Sequence, residues 1–309
     1  MKKKLSIIWN VTRLCPWNCK ICCMGAIYVP NFTKVTSEIL KSHNELSLKD
    51  KKNIVDQLSE MNVRVDFSGG ELLINDENLE LIKYAGLKLK KENVGISVSG
   101  MFFDKKHICG LKKYINDVEL TLDIAPFEYY KIRPLGYHEY ASNTIKMLKE
   151  ENVSVGVQTV LTKLNIQKEK MKKLFDWIVE NKVDDWSLLR YFPSGRGKKL
   201  SEYTPTEEEY IEIIDYIKEI GKNSRVQIHF QYLLPNHEKT TIKCRCVKHS
   251  IGILPNGEIT ACFWALDENM KAIDDKFILG DLKKDTLKSI LNNKKSEYWV
   301  CQEHLCTIF

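Results

Sequence analysis

Between residues 13 and 26 the chain reads RLCPWNCKICCMGA, which sets Cys15, Cys19 and Cys22 at C-x3-C-x2-C spacing with Cys23 directly after. Three or four thiols in one short loop form a ligand set, and three readings compete for it. A disulfide needs an oxidising compartment. A zinc site usually shows two C-x2-C-like pairs or histidine partners. Here its fourth ligand would be the adjacent Cys23, which strains a tetrahedron, or a distant residue. The third reading is a four-iron cluster held by three thiolates, soft ligands that match iron and sulfide. Its remaining iron stays open to a substrate or cofactor.

Other stretches also carry chemistry. DFSGGE brings Gly69 and Gly70, where a backbone can be approached closely, together with the carboxylate of Glu71. ISVSGM offers Ser99 before Gly100, and LTLDIAPFEYYKIRP offers Thr121, Asp123 and Arg133. Five of the ten cysteines lie beyond residue 243: Cys244, Cys246, Cys262, Cys301 and Cys306. Cys109, between the two groups, reads as a buried or incidental thiol.

These residues need a scaffold, and the pattern supplies one. LSIIWNVT reads as a first strand. Helices are expected near 48–61, 77–91, 104–114, 138–151 and 167–181. They alternate with strands in VRVDFSGGE, VGISVSG, DVELTLDIA, VSVGVQTVLT and DDWSLLRYF. Six strands alternating with helices imply an α/β fold, a parallel sheet curved into a partial (β/α)6 TIM-like barrel. A polar loop at 193–205 and a helix near 206–222 follow. The end of the chain changes to short strands, turn signals and cysteines, so domains of 1–235 and 236–309 are expected, the second a small α+β extension. The chain has 309 residues, 43% hydrophobic and 28% charged, with a net charge of +6. That mild excess, without a basic stripe, argues against nucleic-acid binding. No stretch approaches the roughly 18 apolar residues of a membrane span. A cytoplasmic, reducing location is expected, where clustered cysteines ask for metal rather than disulfides.

C-x3-C-x2-C just after the first strand of such a barrel resembles the signature of the radical SAM enzymes. The resemblance implies a [4Fe-4S] cluster on Cys15, Cys19 and Cys22, with S-adenosylmethionine chelating the open iron and cleaved to a 5′-deoxyadenosyl radical. Gly69, Gly70 and Glu71 resemble the family's GGE motif, which holds the methionyl ammonium, with Leu72 where Pro is frequent. Ser99-Gly100 stands where relatives often carry Asn-Gly. Thr121, Asp123 and Arg133 resemble a Ser-x-Asp followed ten residues later by Arg, which implies that Thr121 and Arg133 approach the ribose and carboxylate. Cys23 matches nothing the family requires.

The tail resembles the start of a SPASM domain in its shortened form, called twitch, which carries one auxiliary [4Fe-4S] cluster. The ligands this implies are Cys244, Cys262, Cys301 and Cys306, with Cys246 as the alternative to Cys244. SIGILPNGEITA reads as a hairpin turning at Pro255-Asn256-Gly257. A zinc knuckle is the competing reading of the tail, and His304 reads as a turn residue rather than a ligand. The function expected by resemblance is hydrogen abstraction from a substrate carbon, in the maturation of a ribosomally made peptide. Action on a small metabolite and a noncatalytic metal-binding or electron-transfer role are the alternatives. The resemblance also implies an electron donor such as flavodoxin or ferredoxin.

Overall fold

Alternation along the strands separates a greasy face from a wet one. In Val63–Ser68, Val63, Val65 and Phe67 are buried, whereas Arg64, Asp66 and Ser68 are only partly so. The buried set joins Leu58, Leu81 and Ile82 from the helices in one apolar core. The computed structural model describes residues 4–30, 33–235, 244–301 and 306.

Ten strands form one sheet. They are β1 Leu5–Asn10, β2 Val63–Ser68, β3 Val94–Val98, β4 Asp117–Thr121, β5 Ser154–Leu161, β6 Asp185–Arg190, β7 Gln227–Phe230, β8 Ser250–Ile253, β9 Glu258–Thr260 and β10 Ile278–Asp281. Their order is β10-β9-β8-β1-β2-β3-β4-β5-β6-β7. From β1 to β7 each strand pairs in parallel with the next. The connections carry α1 Leu48–Ser59, α2 Asp76–Leu89, α3 Lys105–Leu111, α4 Tyr137–Glu150, α5 Lys168–Glu180 and α6 Glu207–Gly221. This is the curved parallel sheet with helices outside that the sequence pattern predicts.

The structure adds a seventh parallel strand, β7, to the six read from sequence. It is four residues long with no fully buried residue, so it lacks the apolar run that marks the others. The helix starts follow local rules. Ser47 caps α1 by accepting from Asp50 N at 3.2 Å, and Thr206 with Glu209 forms a capping box on α6.

The tail strands continue the same sheet. β8 pairs in parallel with β1, Ser6 facing Ser250, and β8, β9 and β10 then run antiparallel. The expected hairpin between β8 and β9 is present, with Gly257 at φ 93° in its turn. Among the described residues no helix is long and apolar enough to cross a membrane.

Candidate functional site

The cysteine loop leaves β1 and is pinned from several sides. Gly70 N donates to Thr12 O and Glu71 N to Leu14 O, both at 2.8 Å. A Cβ on Gly70 would stand 2.2 Å from Leu14 O, so the glycine is what lets the two segments touch. The loop's far side is held by Arg196, 177 residues away. Its Nε donates to Cys19 O at 2.9 Å, its backbone N to Cys22 O at 2.9 Å, and Nη1 donates to Ala26 O. Neither Arg196 nor this clamp was foreseen from sequence.

Cys15 and Cys19 are buried, Cys22 and Cys23 half-buried, and all four line one cavity of about 510 Å³. None of the ten cysteines is in a disulfide. Burial pushes the Cys15, Cys19 and Cys23 thiols up, Cys23 to about 12. Thiolates gathered in such a place need compensating positive charge, which a metal group supplies. Among the described residues no group of three or more His, Cys, Asp or Glu is arranged to hold a single metal ion. Three soft thiolates in one loop are a donor set that fits an iron–sulfur cluster.

Gly69, Gly70 and Ser99 line the cavity as well. The Glu71 carboxylate is not among its lining groups; it is 1% exposed behind the wall. Its Oε2 accepts from Ser99 N at 2.9 Å and from Ser99 Oγ, and its Oε1 accepts from Leu73 N at 3.2 Å. Trp17 Nε1 completes the network by donating to Ser99 Oγ at 2.8 Å. Burial raises the Glu71 carboxyl, with the Ser99 bonds opposing.

Thr121 and Arg133 face the same cavity, whereas Asp123 is fully buried behind them. Arg133 Nε donates to Asp123 Oδ2 at 2.7 Å, and Val160 N donates to Oδ1 at 3.1 Å. His138, which no motif singles out, lies 3.6 Å from the same carboxylate. Burial alone would raise the Asp123 carboxyl, but Arg133 and His138 outweigh it and hold it at about 2. Arg133 is thus a fixed cation, over the Tyr137 ring at 4.8 Å and in hydrogen-bond contact with the Cys19 thiol.

Four tail cysteines, Cys244, Cys246, Cys262 and Cys306, line a second, small pocket. Cys246 is hydrogen-bonded to both Cys244 and Cys262. The sequence treats Cys244 and Cys246 as alternatives; the structure brings both in. Cys301 ends the helix Lys294–Cys301, is exposed and lies outside the pocket lining. His304 lies outside the described residues. Phe192 and Trp264, stacked 4.6 Å apart, belong to the walls of both cavities.

Comparison with known proteins bears on both regions. Residues 9–178 match the radical SAM superfamily, and residues 244–307 match an iron-sulfur cluster-binding domain, SPASM. Among curated proteins, the chain is 27% identical over 220 residues to the Fe-coproporphyrin III synthase of Methanosarcina barkeri, covering 70% of this chain and 51% of that one. It is 23% identical over 256 residues to the AdoMet-dependent heme synthase of Oleidesulfovibrio alaskensis, covering 81% and 61%. The chain thus spans between half and two thirds of the length of these relatives. Among solved structures, SuiB of Streptococcus suis bound to the precursor peptide SuiA superposes with a TM-score of 0.73 at 18% identity, covering 95% of this chain and 66% of that one. The structure of anSMEcpe with bound AdoMet gives 0.66 at 17%, covering 96% and 82%. These two likenesses speak for the fold.

Proposed function

This chain belongs to the radical SAM superfamily, and from that premise we propose that it abstracts hydrogen from a carbon of a ribosomally made peptide. Its cofactors are S-adenosylmethionine and [4Fe-4S] clusters. When bound, they supply the electron and the 5′-deoxyadenosyl radical that such chemistry needs. The observation that carries the reading is one cavity shared by Cys15, Cys19, Cys22, Thr121 and Arg133.

In this reading the three thiolates hold the first cluster. Arg133, locked by Asp123, offers its guanidinium to the methionyl carboxylate, an anion suited to an Arg fork. Thr121 faces the ribose, and Gly69 and Gly70 leave the backbone open to the methionyl amine. Glu71 acts from behind, by orienting Ser99. For the auxiliary cluster we favour Cys244, Cys246, Cys262 and Cys306, because these four converge. The Phe192–Trp264 stack lines both the pocket of these cysteines and the substrate cavity.

The peptide reading is supported by fold likeness to SuiB, which was solved with its precursor peptide. A tetrapyrrole substrate is the second reading, favoured by the names of the curated relatives. Anaerobic reconstitution should give about eight irons per chain, two four-iron clusters. Replacing Cys15, Cys19 and Cys22 together with Ala should remove about half of the iron and abolish 5′-deoxyadenosine formation. Persistent 5′-deoxyadenosine would overturn the assignment. A short peptide encoded beside the gene, tested against a panel of tetrapyrroles, separates the two substrate classes by which one yields product.

A further inference from the structure

Below the cofactor-facing residues the cavity has a charged floor. Side chains two apart on a strand share a face, so Glu119 lies about 6.6 Å deeper than Thr121 along β4, and it lines the same cavity. The one guanidinium on this floor is already committed. Arg64 Nη2 donates to Asp66 Oδ1 at 2.7 Å and to the two oxygens of Asp117 at 2.8 and 2.9 Å. Glu119 receives neutral donors instead, Ser97 Oγ at 3.3 Å and Gln158 Nε2 at 2.5 Å, both on Oε2. Three carboxylates therefore face one guanidinium. Glycines make the room: a Cβ on Gly95 would lie 2.3 Å from Asp66 Oδ1, and one on Gly156 would lie 3.3 Å from Glu119 Cγ.

A separate observation points to a ligand. Asn10 is fully buried yet lines this cavity. Its Nδ2 donates to Met24 Sδ at 3.0 Å, and its Oδ1 has no partner. A buried acceptor left without a donor is costly unless something fills the place. The other cavity arginines serve the opposite end. Arg133 meets Cys19, Arg196 holds the loop carbonyls, and Arg190, ending β6, pairs with Glu207. The cavity thus runs from an end whose arginines are held by Asp123, Glu207 and the loop carbonyls to an acceptor-rich floor.

We propose that this floor is a binding subsite for a cationic group of the substrate, an ammonium or guanidinium, received by the Glu119 carboxylate and the Asn10 amide oxygen. The proposal rests on the reading that the reaction occurs in this cavity, and it narrows the substrate to one bearing a basic group, such as a peptide with a Lys or Arg side chain. A substrate studded with carboxylates meets like charge at the floor.

The site is linked to pH. Burial, aided by Asp66 and Asp117, pushes the Glu119 carboxyl up to about 7 against Ser97 and Arg64. The other charged groups near it are Arg64, which stays charged, Asp66, itself raised by burial, Asp117, and beyond Gly156 Asp185, paired with His229 at 2.7 Å. A bound cation favours the ionised carboxylate, so binding releases a proton and tightens as pH rises.

The test is calorimetric titration of the reconstituted enzyme, with S-adenosylmethionine present, using N-acetyl-lysine methylamide and its norleucine and glutamate counterparts. The lysine probe should bind at least about tenfold tighter than the other two, and its affinity should rise up to about tenfold from pH 6 to pH 8. Glu119→Gln should lose both the preference and the slope. Ser97→Ala keeps the carboxylate but removes a donor to its charged form, so it should keep the preference and move the slope to higher pH; this variant decides the matter if Glu119→Gln does not fold. Equal affinity for the lysine and norleucine probes, tighter binding of the glutamate probe, or full preference in folded Glu119→Gln would overturn the proposal. Formation of 5′-deoxyadenosine in the same preparation reports separately on the radical SAM reading.

Discussion

Asp123 does its work without touching the cavity. It fixes Arg133, and each would be a stranded charge without the other. Breaking a buried pair by removing one partner typically costs about 3–5 kcal/mol, and Asp123→Asn should destabilise the protein by that much in urea titrations followed by circular dichroism. A loss below about 1 kcal/mol would mean that the pair carries little. The pH dependence has a definite sign. The folded carboxyl is held at about 2, below its unfolded value, so its contribution is complete above about pH 4 and is lost as pH falls towards 2. Nothing from this group should change between pH 6 and 8. The residues of this pair were legible in sequence because they lie ten apart in one stretch. His138 was not, because only the fold of α4 brings it to the same carboxylate. Glu71 was legible as a residue of the site but not as a strut: the bonds to Ser99 depend on how β2 and β3 align.

At the scale of elements, the segment after β6 is tied to the loop after β1. Gly195 at φ 54° would set a Cβ 2.5 Å from the carbonyl oxygens of both Cys22 and Cys23, which is why a side chain is excluded there. Arg196→Ala removes the two side-chain bonds, to Cys19 O and Ala26 O, and leaves the main-chain bond to Cys22 O, so the loop should loosen. The expected outcome is iron content falling towards half and 5′-deoxyadenosine formation dropping by tenfold or more; both unchanged would show the clamp to be dispensable. The periodicity of the chain revealed six strands because each held a buried alternating face. It missed β7, which is short and half-exposed. It also read the tail cysteines through linear spacing. Cys244 and Cys246, two apart, share one face of extended backbone, and Val247 at φ 62° with the Cys246–Ser250 bridge turns the chain directly after them. Cys246→Ala should therefore lose the auxiliary cluster, whereas Cys301→Ala should retain the full iron content; the opposite pattern restores the ligand set inferred from spacing.

For the whole molecule, the pairing of β1 with β8 ties the first strand to one about 240 positions later, Ser6 beside Ser250. Until that partner is synthesised, β1 presents a bare row of amides and carbonyls on one side. The nascent barrel thus leaves the ribosome with a sticky flank, and the distant return makes this step slow relative to the local β/α units. A chain ending at residue 235 should be recovered mainly in aggregates, and adding the 236–309 fragment during refolding should raise the soluble yield. Monomeric, soluble 1–235 would show that the flank protects itself. The same strand that completes the sheet would also make it resistant to pairing with other copies, so metal loading of the tail and protection from misassembly are delivered by one event, late in the life of the newly made chain.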